Sequence, residues 1–202
     1  VKRLKPDYGL LLGLYERIFI EQEISKASVH LPEFRIPADS LAVKLQEKFP
    51  LVEIPQFLFD GESADGLFMR ICPILVKSDN ELSQSVKKII ENIDNKTLST
   101  GHLFSAYMRQ DDQFFTALVL EQKIDGKVLG FIVYNSLKPS LTVFSRMVSK
   151  HLDSENVWDK GYCPVCGSVP EISVFEDNGK RSLIGGFCSH KWLSKRVFCS
   201  FC

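Results

Sequence analysis

No apolar run in this 202-residue chain approaches the ~20 residues that span a bilayer; the longest, residues 10–15 and 131–134, fall far short. Net charge is missing as well, because 25 Lys and Arg balance 25 Asp and Glu. A whole-chain field that draws nucleic acid or anionic lipid is therefore excluded, although a local patch is not. The first six residues hold Lys2, Arg3, Lys5 and Pro6 in place of an apolar signal core. The expectation is a chain without a secretory leader, with the start at Val1 leaving an excised one formally open. There is no P-loop, no G-x-G-x-x-G and no G-x-S-x-G, so the common phosphate-cradling and nucleophile-elbow chemistries have no anchor. Cysteine is scarce until late: Cys72 stands alone, and the other five of the six fall in the last forty residues.

What is present is ordinary globular material, 45% hydrophobic and 25% charged, enough to bury a core. Up to about residue 157 the pattern is helical. Apolar faces predict helices over 6–27, 37–49, 62–77, 97–110 and 112–123. Another, with Leu82, Val86, Ile89, Ile90 and Ile93 on one face, follows a capping-box spacing at Ser78 and Glu81. Residues 128–136 are apolar nearly all round and should be central. Pro139 then reads as opening a further helix with Leu141, Phe144 and Val148. Asp111 and Asp112 read as a helix start, not an acid/base pair.

After Trp158 the pattern changes. Residues 171–175 alternate as a strand, Asp177-Asn178-Gly179 is a turn signal, and residues 181–184 fit the returning strand. This tail has too little apolar mass for a core of its own. It holds six basic and four acidic residues, a net +2 that points to no partner. Its cysteines explain how it folds. Cys163 and Cys166 form a C-x-x-C knuckle in Gly161-Tyr-Cys-Pro-Val-Cys-Gly167, and Cys199 and Cys202 repeat the spacing. Two thiolates three residues apart converge on one ion. Pro164 restricts the backbone between them, and Gly167 permits a turn in which N–H groups donate to sulfur. Paired knuckles in a chain without a leader indicate a metal site in a reducing compartment rather than a disulfide framework.

These residues carry a resemblance. The segment Leu137-Lys-Pro139, then Trp158, Gly161, Cys163-Pro-Val-Cys166-Gly-Ser and Pro170, then Arg181, Leu183, Cys188, Trp192, Arg196 and Cys199-x-x-Cys202, resembles the formate dehydrogenase accessory protein (FdhE-like) family. Pro50-Leu51 resembles a Pro-Leu motif of that family's helical region. The resemblance implies a multidomain, mainly α protein: an N-terminal α-helical domain over 1–157 and a small rubredoxin-like or zinc-ribbon metal module over 158–202. It implies a non-enzymatic, cytoplasmic accessory factor that is needed for active formate dehydrogenase and binds its catalytic subunit, with no nucleic acid or membrane as partner. The family's cysteine pairs are associated with iron, so iron or zinc is the expected ion. Cys163, Cys166, Cys188, Cys199 and Cys202 are the candidate ligands, and no catalytic residue is assigned.

The family has four C-x-x-C pairs, and this chain reaches only the third, which reads as truncation at Cys202. Gly185 stands where the second pair should begin, leaving Cys188 without a mate. Two pairings stay open. Sequential pairing groups Cys163 and Cys166 with Cys188 and makes Gly185 a vacant seat; bridged pairing groups Cys163 and Cys166 with Cys199 and Cys202. His190 could supply a ligand, but a surface histidine after a knuckle is the favoured reading. His30, His102 and His151 read as structural, Cys72 as a small core residue, and Trp158 and Trp192 as packing over the metal module. The rival classes are a zinc-ribbon nucleic-acid module and a rubredoxin-like electron carrier.

Overall fold

The computed structural model describes residues 8–77, 80–197 and 199, without the side chains of Asn80 and Glu81. Among these, seven α-helices precede a small three-stranded antiparallel sheet. The helices are α1 (Gly9–Lys26), α2 (Ala38–Glu47), α3 (Gly61–Val76), α4 (Asn80–Asp94), α5 (Thr100–Met108), α6 (Asp112–Gln122) and α7 (Gly126–Ser149). The strands β1 (Pro170–Phe175), β2 (Arg181–Gly185) and β3 (Lys191–Ser194) follow in sheet order β1-β2-β3. No described helix is long and apolar enough to cross a membrane. The chain packs as two compact units, Val1–His30 with Asp60–Pro139 and Leu31–Phe59 with Ser140–Cys202.

The first unit is a helical core. Leu14 and Ile18 of α1, Leu67, Phe68, Ile71 and Leu75 of α3, Val86 and Ile89 of α4, Leu103 and Phe104 of α5, and Leu129, Ile132 and Val133 of α7 are all buried. Spacings of one, three and four residues keep each set within one apolar stripe of its helix. Caps set the helix starts. The Asp60 carboxylate accepts from Ser63 N (3.0 Å) and from His30 N (2.8 Å). The Asp111 carboxylate accepts from Phe114 N (2.9 Å), as its place before α6 implies. The capping box expected at Ser78 and Glu81 lies outside the described residues. Cys72 is fully buried, and burial pushes its thiol up to about 12, which suits a core residue and not a nucleophile.

One helical expectation is corrected. Pro139 does not open a helix; it sits inside α7, which runs unbroken from Gly126 to Ser149. Proline has no N–H, so the Asn135 carbonyl four residues back loses its helical donor. Gln22 of α1 replaces it: its side-chain amide donates to Asn135 O (2.9 Å) and to Asn135 Oδ1 (3.0 Å). Both residues are buried, Gln22 at 8% and Asn135 at 6% exposure. The bond spans 113 positions of sequence, which is why a local reading breaks the helix and the fold does not.

The second unit joins the ribbon to two helical-region segments. Leu51, Val52 and Phe57 from one, and Leu141, Phe144 and Val148 of α7 from the other, are buried with Val165, Leu183 and Trp192. Phe144 packs against Phe34 and Phe57, with ring centroids 5.0 and 4.7 Å away, and Phe57 also meets Phe187 at 5.4 Å. β1 and β2 pair over the expected turn, where Gly179 takes φ +77°. β3 is an addition to the sequence reading. It pairs Trp192 with Leu183 and is too short, with no flanking turn signal, to stand out by pattern.

Candidate metal centre

The site starts at the 163–167 knuckle. Gly167 adopts φ +75°, a conformation that glycine tolerates and other residues resist. Its N–H donates to Cys163 O (2.9 Å) rather than to sulfur. The turn is closed by Cys163 N donating to Ser168 O (2.8 Å). One residue later the Cys166 thiol donates to the Ser168 hydroxyl oxygen at 3.1 Å.

Pro50-Leu51 is the outer wall of this knuckle. Leu51 N donates to Pro164 O and Val52 N to Val165 O, both at 2.9 Å. A Cβ placed on Gly167 would meet Pro50 Cγ at 3.0 Å, so this position must be glycine for packing as well as for φ. Tyr162 adds a third tie, its hydroxyl donating to Lys48 O (2.9 Å). Lys48 in turn reaches Asp159 at 2.6 Å and holds that carboxyl below the ordinary range.

The turn after β2 carries Cys188 back over the knuckle. Its Sγ comes within 3.7 Å of Cys163 Sγ, and the sulfurs of Cys163, Cys166 and Cys188 all lie within 4.8 Å of one another. All three residues are buried. A tetrahedral ion with bonds of about 2.3 Å to sulfur separates two thiolates by roughly 3.8 Å, so the 3.7 Å spacing fits two ligands of one metal. Burial drives the Cys163 thiol up, whereas hydrogen bonds from Cys163, Cys188 and Ser168 pull Cys166 down. A cation that binds such a cluster takes the place of the thiol protons. This Cys triad could hold a metal ion.

The structure therefore gathers Cys163, Cys166 and Cys188, the set that sequential pairing names. Cys199 is exposed and is not among the three, and Cys202 lies outside the described residues. His190 is also outside the triad. It is half-buried: its ring stacks on Trp192 (centroids 6.4 Å apart, 10° between planes), and burial pushes its imidazole down to about 4. Gly185 abuts the site. A Cβ there would lie 3.4 Å from Cys163 Cβ, 3.4 Å from Trp192 Cζ3 and 3.3 Å from Ser168 Oγ. Trp158 ties the knuckle to β3, its N–H donating to Leu193 O (2.9 Å) and its indole Nε1 to Tyr162 O (2.8 Å).

One residue escaped the sequence reading. Ser145 of α7 is buried, and its hydroxyl lies 3.5 Å from Cys188 Sγ. A serine inside an apolar helix, 43 positions from the cysteine it meets, gives no local signal.

Over 87 residues, 41% of this chain, the sequence is 37% identical to the Protein FdhE homolog of Aquifex aeolicus (strain VF5). The match spans 30% of that protein's length. The chain thus resembles FdhE-like proteins. No protein-family model matches the chain, and no solved structure does.

Proposed function

We propose that this chain is a cytoplasmic, non-enzymatic accessory factor for the production of active formate dehydrogenase, and that it binds the catalytic subunit of that enzyme. The likeness to an FdhE homolog carries the reading. The buried sulfur triad, which could hold an ion, supports it. Iron or zinc held by Cys163, Cys166 and Cys188 would fix the knuckle, the β1–β2 hairpin and the residues 50–52 wall as one docking body. A small ribbon gains most of its stability this way when its apolar core is thin. Cys199 and Cys202 belong to a second ligand pair in this reading.

Co-purification tests it. A tagged chain is expressed with a formate dehydrogenase catalytic subunit, beside Cys163→Ser and Cys188→Ser variants. The expected result is retention of the subunit by wild type and its loss with the variants. Equal recovery with metal-free variants would confine the cysteines to another role, and no recovery with wild type would refute the partner.

A further inference from the structure

We infer that the fourth position of the sulfur triad is held by the hydroxyl of Ser145, so that the ion takes three thiolates and one neutral oxygen, the oxygen coming from α7 and not from the ribbon. The inference rests on the triad being a metal site. Four observations lead to it.

The first is orientation. A buried serine in a helix normally donates to the carbonyl one turn back, as Ser136 does to Ile132 O at 2.8 Å. Ser145, at 2% exposure in the same helix, directs its hydroxyl to Cys188 Sγ instead. The second is distance. Bonds of about 2.3 Å to sulfur and about 2.0–2.2 Å to oxygen at a tetrahedral angle separate the two ligand atoms by roughly 3.5–3.7 Å. Ser145 Oγ and Cys188 Sγ are 3.5 Å apart. Ser168 Oγ and Cys166 Sγ are 3.1 Å apart, too close for two ligands of one ion, which makes Ser168 a hydrogen-bond partner of that sulfur.

The third is the set of rivals. Among the described residues no further Cys, His, Asp or Glu joins the triad. Gly185 has no side chain to offer; a Cβ there would pack against Cys163, Trp192 and Ser168 at 3.3–3.4 Å. The fourth is charge. Three thiolates on a divalent ion leave one net negative charge in a buried place, and a fourth would leave two. A neutral hydroxyl closes the coordination shell without adding to the buried charge.

Cobalt substitution of the full chain in reducing buffer tests this. Cobalt(II) reports thiolates by its sulfur-to-metal charge-transfer intensity and four-coordination by its ligand-field bands. Ser145→Cys should raise the charge-transfer intensity by about one third, since thiolates then number four and not three, and should slow metal loss to a chelator at least about tenfold. Ser145→Ala should keep the charge-transfer intensity, change the ligand-field bands and speed metal loss at least about tenfold, the range seen when a ligand's support is removed. Gly185→Cys should not raise the intensity. Unchanged spectra and unchanged loss rates in both Ser145 variants would overturn the proposal, as would a fall of about one quarter in the intensity for Cys202→Ser, which would mark a four-thiolate site. Wild type that binds no cobalt with its thiols reduced would instead sink the metal reading itself, and this proposal with it.

Discussion

Replacing Gln22 with Leu probes the device that lets α7 pass through a proline. Pro139 leaves the Asn135 carbonyl without a helical donor, and the Gln22 amide serves that oxygen at 2.9 Å and the Asn135 side-chain oxygen at 3.0 Å. Leucine fits a similar volume and removes both bonds. A buried acceptor left without a partner costs about 1–3 kcal/mol. The side-chain oxygen can relax more readily than the carbonyl, so the expected loss is about 2–3 kcal/mol in total. The sharper test is a double-mutant cycle with Pro139→Ala. Alanine at 139 restores an N–H to the helix, and the Asn135 carbonyl then has its own donor. Gln22→Leu should therefore cost about 1–2 kcal/mol less in the Pro139→Ala background than in wild type, a coupling typical of residues that share one hydrogen-bond network. Urea unfolding followed by far-ultraviolet circular dichroism measures each corner of the cycle. Strict additivity would refute the reasoning, because it would mean that the glutamine does not serve the orphaned carbonyl.

Further outcomes follow from other contacts. Asp60→Ala removes the cap of α3 and should cost about 1 kcal/mol at neutral pH. Burial alone would raise the Asp60 carboxyl, but the N–H groups of Ser63 and His30 outweigh it and hold the pKa low. Its contribution is thus present above the unfolded carboxylate pKa and is lost as pH falls through the lower folded value; a wild-type-minus-variant difference that grows on acidification would contradict this. Gly167→Ala should destabilise by more than about 1 kcal/mol, since a positive φ and a 3.0 Å approach to Pro50 both oppose a Cβ; thermal melts of the variant would show it, and an unchanged midpoint would contradict it. Cys72→Ala should cost roughly 1 kcal/mol and leave metal content untouched. Metal retention at fixed chelator should fall as pH falls, because protons compete for the three thiolates; retention independent of pH between neutral and mildly acid conditions would argue against thiolate ligands.

Much of this molecule was legible locally. The apolar faces of α3 and α4 sit where their spacing puts them, and the Asp177-Asn178-Gly179 turn joins β1 to β2 as its residues require. The knuckle at Cys163 and Cys166 was legible from spacing alone. What stayed hidden depends on partners far away in sequence. Pro139 reads as a helix start unless Gln22 is known to face Asn135. Pro50-Leu51 was visible as a motif, but its work, backbone bonds to Pro164 and Val165, belongs to the folded knuckle. Ser145 and β3 lack any local mark. The two cysteine pairings were equally consistent with spacing, and only the fold brings Cys188 to within 3.7 Å of Cys163.

The most direct test of the account is metal content per chain, measured by elemental analysis on protein purified under reducing conditions. Wild type should carry iron or zinc at the triad. Cys163→Ser, Cys166→Ser and Cys188→Ser should each lose that ion and weaken the unit built from Leu31–Phe59 and Ser140–Cys202, whereas Cys72→Ala should lose none. A triple Ser variant at 163, 166 and 188 that retains as much metal as wild type, or a wild type that takes up neither metal when both are supplied, would contradict it.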